Sequence, residues 1–399
     1  MADVFLHIGL PKTGTTSIQV ALTQHAEALA DAGILLAGGG HRAQQLATYD
    51  LLGQRIAGDD RDVVPGSFGQ LMASINGYDG DRVVVSEEDL GLAGRRHVKR
   101  IVDALRGHRV FVVVGVRDFG RTLVSAWQQS VMMGGTCGWQ GFVDAARDPA
   151  RAGVATGTGF WIRHDLLHVL DVWGTQVPPE RIRIITVPRD GSASGLLMHR
   201  FAEAAELPAG IWADGVRTRN QSLGVAEVEA IRRLNESLAG ALNKLQYRHV
   251  IEVGIRARLE TRGSRPLKLP AEDLAWARQQ AQKVIGEISS RGHPVYGDLD
   301  DLVPAETPSA TRRLDEVSET EVLAATQAAL LSLALAHGAL FRRYRREFVE
   351  TQGRPPTTAE MLSSSTRAAV FRLKRSALMR ADHVPLLAWA ARTSLRRRG

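Results

Sequence analysis

Residues 4–9 form a short apolar run closed by glycine, the pattern of a strand buried on both faces. Beyond a loop over 10–14, Ile18, Leu22 and Leu29 recur at helical spacing, and Gly33 supplies a stop. The chain therefore opens as strand, tight loop, helix. Ile34, Leu35 and Leu36 predict a second short strand ended by Gly38, Gly39 and Gly40. Strand-like runs follow at 82–86 and 110–116, with a helix near 98–105 between them, and at 182–187 after a helix over 165–173. Strands alternating with helices predict an α/β fold, a mostly parallel sheet with helices on both faces. Ligands of such sheets sit beyond the carboxyl ends of the strands.

Past residue 220 the strand signals fade and helices dominate, at 225–245, 271–290, 322–344 and 359–379. A Pro-, Asp- and Ser-rich stretch at 297–310 marks a boundary. The expected organisation is an α/β core over 1–235, a helical extension over 236–310 and a helical, basic segment over 311–399. Residues 322–341 carry no charge, but the run is Ala-rich and contains Thr326, Gln327, Ser332 and His337. It opens with a capping-box pattern, Ser318-Glu319-Thr320-Glu321. Alanine and polar groups contribute little to partitioning into lipid, so a buried helix is expected here rather than a membrane span.

With 44% hydrophobic and 23% charged residues, the 399-residue chain has the composition of a globular protein. Its net charge of +7 is unevenly spread. Residues 340–399 hold 14 Lys and Arg against 4 Asp and Glu, which leaves 36 basic and 39 acidic side chains elsewhere. The near-neutral body argues against a nucleic-acid groove across the main domain. In the tail, Val370, Phe371, Leu373, Leu378 and Met379 alternate with Arg372, Lys374, Arg375 and Arg380. A stretch of this kind suits weak peripheral contact with an anionic membrane or acceptor. The single cysteine, Cys137, excludes an internal disulfide framework and fits a reducing compartment. Met1-Ala2-Asp3 leads straight into the first apolar run without a basic leader, and a cytoplasmic location is expected.

The first strand-to-helix connection reads Leu10-Pro11-Lys12-Thr13-Gly14-Thr15-Thr16-Ser17. Gly14 lets the backbone approach a ligand closely. Thr13, Thr15, Thr16 and Ser17 place hydroxyls beside the unpaired amides of a helix start, and Lys12 adds charge, which together make a cradle for a tetrahedral oxyanion. The lysine precedes the second glycine instead of following it, so the Walker pattern of nucleotide triphosphatases fails. The loop resembles the 5′-phosphosulfate-binding loop of sulfotransferases, bacterial type, that depend on 3′-phosphoadenosine 5′-phosphosulfate (PAPS). That resemblance implies a P-loop-like core in which Lys12 contacts the 5′-phosphate and the bridging oxygen that leaves with it. Ser17 departs from the tryptophan of animal cytosolic members, so adenine must be held by other residues.

Three further stretches extend the resemblance, which covers about residues 1–235. Arg117 ends the run over 110–116 and Ser125 follows eight residues later, similar to the family's 3′-phosphate signature. A guanidinium forks onto phosphate oxygens and a serine hydroxyl adds an oriented donor. Phe119, where many members have proline, and Thr122, where many bacterial members have arginine, depart from it; Arg121 is not carried over. Arg219 lies in a loop similar to one that follows the core in bacterial members and is a further candidate 3′-phosphate contact. After the strand 82–86 stand Glu87, Glu88 and Asp89. Relatives place a catalytic histidine or glutamate there, and mutual repulsion can raise one carboxyl's pKa. Glu88 is expected as the base, with Glu87 turned to the other side of the strand end.

The resemblance thus implies in-line sulfuryl transfer from PAPS to a hydroxyl of a carbohydrate, glycolipid or small metabolite, releasing 3′-phosphoadenosine 5′-phosphate (PAP). Glu88 activates the acceptor, Lys12 neutralises the leaving oxygen, and Ser125 positions lysine and cofactor. The alternatives are a nucleotide-dependent kinase on a P-loop-like core and a non-catalytic PAP- or oxyanion-binding module. No metal is expected: His164 and His168 share helical spacing but lack a third ligand. The sequence leaves the oligomeric state open.

Overall fold

The computed structural model describes residues 1–53, 64–148, 157–189, 194–212, 223–256, 259, 267–305, 316–352, 354, 355 and 357. Two compact units emerge, Met1–Ser332 and Leu333–Gly399. The first half of the chain runs β1 (Asp3–His7), α1 (Thr15–Gln24), α2 (Ala26–Asp31), β2 (Ile34–Leu36), α3 (His41–Leu52), α4 (Ser67–Asn76), β3 (Arg82–Ser86), α5 (Arg95–Ala104), β4 (Arg109–Val116) and α6 (Phe119–Met132). It continues through α7 (Trp139–Arg147), α8 (Gly157–His164), α9 (Leu166–Trp173), β5 (Ile182–Thr186), α10 (Ser194–Ala204), α11 (Val225–Leu238) and α12 (Lys244–Arg248). A π-helical stretch (His249–Arg256) leads on to α13 (Ala271–Arg291), β6 (Val295–Tyr296) and α14 (Glu319–Gln352).

The strands form one six-stranded sheet in the order β2-β3-β1-β4-β5-β6, and every pair is parallel. Helices cover both faces, which is why the strands read as unbroken apolar runs; in β4 every residue after Arg109 is buried. One face packs Val4, Leu6, Val83 and Val112 under Leu71 of α4, Ile101 of α5, Leu170 of α9 and Ile288 of α13. The other packs Phe5, Val84 and Val113 under Leu22 of α1 and Phe201 of α10. A third cluster joins α6, α7, α8 and α11 around Trp127, Trp139, Phe142, Phe160 and Ile231. The predicted parallel α/β core is therefore present. The edge strand β6 left no sequence signal, since two residues are too few to show a period.

The helix expected over 322–344 forms as part of α14, and its capping box is made: Ser318 N donates to Glu321 Oε2 (2.9 Å) and Glu321 N to Ser318 Oγ (3.2 Å). The expectation that 322–341 is buried needs correction. Only Val322, Ala325 and Ser332 are buried, while Leu323, Leu330, Leu331 and Leu340 are exposed. The apolar residues ring the helix, whereas a single stripe, with Val322 and Ala325, meets Ala226 and Ala230 of α11. By length and composition alone this helix could cross a membrane, with a mean hydropathy of 1.5 in its most apolar stretch. The amphipathic tail around Val370 to Arg380 lies outside the described residues, as does Arg219.

Trp127 is fully buried, stacks edge-on against Trp139 at 5.7 Å and donates its Nε1–H to Cys137 O at 3.0 Å. Trp127→Ala is expected to lower the unfolding free energy by about 3–5 kcal/mol, the range for truncating a buried aromatic. Met133→Ala, at an exposed site one residue past the same helix, should change it by less than about 0.5 kcal/mol. Denaturant titration of the two variants checks this.

Candidate active site

The chain leaves β1 for the edge strand β2, returns to β3 beside β1, and then adds β4 on β1's other side. The crevice at the carboxyl end of β1 is the ligand position that such a reversal creates. The connection from β1 to α1 fills it by continuing the pairing with β4. Leu10 N donates to Gly115 O at 3.0 Å, and Gly115 N donates to Gly9 O at 2.5 Å. Gly115 has to be glycine here, because a Cβ would stand 2.7 Å from Thr13 Oγ1. Gly14 has φ 86°, and a Cβ on it would run into Leu197 Cδ2. It is the residue from which α1 starts, so the amides of Thr15 and Thr16 have no partner within the helix and remain available to an anion.

Lys12 is held in the left-handed region (φ 69°) and its Nζ donates to Gln129 Oε1 on α6 at 2.7 Å. Burial lowers its pKa; Glu88 pulls the other way, and the charges of Arg256 and Arg117 depress it further. Ser125 precedes Gln129 by one turn and so lies on the same side of α6. Arg121, a turn earlier, donates to Pro188 O at 3.0 Å and Arg189 O at 3.1 Å. Arg117 leaves β4 toward the loop, where its Nη1 donates to Lys12 O at 3.1 Å. Burial, with Arg121 adding to it, lowers the Arg117 pKa to about 10, so the group stays cationic at neutral pH. Asp118 is spent on capping α6, accepting from Arg121 N at 3.0 Å.

The two glutamates part as the strand alternation predicts. Glu88 turns to the loop and accepts from the Thr15 hydroxyl. Its backbone also lies against Gly9, where a Cβ would come within 3.1 Å of Glu88 O. Glu87 points away, buried beside α3, with Oε2 3.2 Å from His41 Nδ1 and Oε1 accepting from Asp89 N at 3.2 Å. Burial pushes the Glu87 carboxyl up to about 8. Beneath the pair, buried His7 contacts Ser86 Oγ at 2.8 Å, and burial lowers its pKa to about 3, so the imidazole is neutral.

The structure thus gathers Lys12, Gly14, Thr15, Glu88 and Arg117 at one strand end, with Thr16 and Ser17 on the first turn of α1 and Ser125 on α6 one turn before Gln129. Thr13 departs from expectation. Its hydroxyl donates to Leu10 O at 2.6 Å inside the loop. Gln129, Arg256 and His164 were not expected. Gln129 was findable as the next turn after Ser125. Arg256 and His164 come from distant helices with no motif of their own, and only their charge coupling to Lys12 marks them. Among the described residues no group of three or more His, Cys, Asp or Glu side chains is arranged to hold a metal ion.

Because the Glu87 pKa lies near 8 in the folded chain and 4.5 is the ordinary value, the folded state binds the proton more tightly between those pH values. Glu87 therefore favours folding below about pH 4.5, and that contribution is lost as pH rises to about 8. Relative to wild type, Glu87→Gln should gain stability steadily from about pH 5 to 8 and level off above. Unfolding curves of both proteins across this range test the sign.

No family model and no curated protein matches this sequence. Among solved structures, the chain is similar to a sulfotransferase from Alicyclobacillus acidocaldarius at 12% identity and a TM-score of 0.37. The match covers 61% of this chain and 98% of that one.

Proposed function

We propose that this chain is a sulfotransferase that moves a sulfuryl group from PAPS to an acceptor hydroxyl. One observation carries the reading. Lys12 stands ahead of the α1 N-terminus, off the helix, within reach of the charges of Glu88 and Arg117. A Walker lysine follows the second glycine at the start of the helix, where it serves a nucleotide's terminal phosphates. A lysine displaced to the mouth of the amide cup is suited instead to the oxygen between the phosphate held there and the group being transferred.

The chemistry divides among these side chains. The α1 amides and the Thr15, Thr16 and Ser17 positions hold the 5′-phosphate. Arg117 braces the loop through Lys12 O and supplies charge for the 3′-phosphate together with Ser125. The acceptor oxygen attacks sulfur as the bond from sulfur to the bridging oxygen breaks. Glu88 takes the acceptor's proton, and Lys12 neutralises the charge left on PAP. Nearly all the protein's contribution is positioning and preorganised charge, as in phosphoryl transfer. The lowered pKa of Lys12 fits this task, since a partly desolvated ammonium gives up a proton to the leaving oxygen more readily.

PAP without metal should raise the melting temperature, and Mg-ATP should do much less. At ~100 times its dissociation constant a ligand adds ~2.7 kcal/mol of stability. Equal stabilisation by Mg-ATP would replace this reading with a kinase, and PAP binding with no turnover of PAPS would leave a binding module.

Lys12→Ala should weaken PAP binding and slow turnover together. Glu88→Gln should keep PAP affinity while slowing the chemical step by ~10²–10⁴-fold. Single-turnover transfer from saturating PAPS reads this directly; an unimpaired Glu88→Gln enzyme would remove Glu88 from the role of base.

A further inference from the structure

Between Glu321 and Arg342, α14 carries no charged side chain, yet only Val322, Ala325 and Ser332 of that stretch are buried. Leu330, Leu331, Leu333, Leu335, Leu340 and Phe341 are all exposed. At about 3.6 residues per turn, Leu331 and Leu335 share one flank of the helix, Leu330 and Phe341 the next, and Leu333 and Leu340 a third. These flanks adjoin and together take up more than half of the circumference. A helix built for one packed partner shows a narrower apolar stripe, about 100° wide, opposed by a polar face. The contact of Val322 and Ala325 with Ala226 and Ala230 of α11 leaves the leucines uncovered.

The charge pattern decides what such a surface fits. Directly after Phe341 come Arg342, Arg343, Arg345 and Arg346, all exposed, with Tyr344 among them. Glu347 pairs with Arg343 at 2.9 Å, an exposed pair that leaves the cluster cationic. Apolar and cationic parts thus succeed each other along the axis, whereas a helix that docks on protein divides them around it. A lipid layer has the matching order, hydrocarbon and then phosphates, with tyrosine favoured at the boundary. The rest of the chain is a poor cover. Residues 353–399 hold 10 Lys and Arg against 2 Asp and Glu, so they are repelled by the arginine cluster and drawn to the same anionic surface. One helix of a second copy would cover one flank and leave the others wet.

We propose that α14 docks on an anionic lipid bilayer, burying Leu330 to Phe341 in its apolar layer and setting Arg342, Arg343, Arg345 and Arg346 against its phosphates. The two parts act differently. Leucine burial does not depend on salt, whereas the arginines select anionic lipid through a field that salt screens. The proposal stands on α14 alone and is independent of the sulfuryl-transfer reading.

The test floats full-length protein with vesicles of phosphatidylcholine alone, or of phosphatidylcholine mixed with phosphatidylserine, at low and high salt. Wild type should prefer the mixed vesicles and keep part of its binding at high salt. Leu335→Glu combined with Leu340→Glu should abolish binding under every condition. Both positions are exposed, so the urea midpoint of that variant should stay nearly unchanged. Arg345→Gln combined with Arg346→Gln should weaken binding to the mixed vesicles about thirtyfold, about fivefold for each charge near the surface, and spare binding to phosphatidylcholine. Arg372→Gln, Lys374→Gln, Arg375→Gln and Arg380→Gln together should keep the binding that survives high salt. Wild type that ignores the mixed vesicles overturns the proposal. So does undiminished binding by the leucine variant, which would assign lipid contact to the tail. A dimer in sedimentation that the leucine variant splits, with no vesicle binding, gives the surface to a second copy instead.

Discussion

The connection from β1 to α1 keeps its shape because it prolongs strand pairing past the end of the strand. Gly9 and Leu10 exchange hydrogen bonds with Gly115 of β4, so the loop's first half is anchored in the sheet and cannot collapse onto its own amides. Every other part of the site refers to that anchor. Gly9 sets how closely Glu88 approaches, Gly115 makes room for Thr13, and Arg117 follows two residues after Gly115 to hold Lys12 O. Loss of this pairing would release both flanking groups, although neither belongs to the loop.

Electrostatics then separates the charged groups by task. Two adjacent glutamates cannot both be buried and ionised at modest cost. The strand alternation resolves this by turning Glu87 inward, where burial favours its neutral form, and Glu88 toward the loop. On the cationic side, Arg117 and Arg256 reach Lys12 while Glu88 opposes them, and Asp118 offsets Arg117. Cations gathered beside the open amides of a helix start favour an anionic ligand. Arg117 adds a second role by bracing the loop, so its replacement by lysine would keep charge and lose the bond to Lys12 O.

Much of the sheet and part of the site could be read from the sequence for different reasons. Strands buried on both faces betray themselves as runs such as 110–116, and glycine with threonine at the end of a run marks an anion loop. Glu88 facing the loop and Glu87 facing inward followed from the period of two. The rest depended on contacts between distant segments. Thr13 looked like a ligand hydroxyl because its chemistry is right; only the fold shows it bonded to Leu10 O. His164 looked ordinary because Lys12, whose charge reaches it, lies in a distant part of the sequence. Residues 322–341 read as a buried helix because alanine and polar groups weaken partitioning into lipid, but α11 covers only a stripe that includes Val322 and Ala325.

The strand order also fixes when this site can exist during synthesis. The loop leaves the ribosome first, but the residues that hold it, Ser86 to Arg117, follow about a hundred positions later. At typical rates of about 5–20 residues per second, the anchoring partners arrive on the order of ten seconds after the loop. Through that interval β1 is an unpaired apolar segment with both edges open, the state in which strands seek wrong partners. The geometry that centres the loop in the finished sheet therefore makes the nascent chain depend on β3 and β4 arriving before β1 meets another molecule.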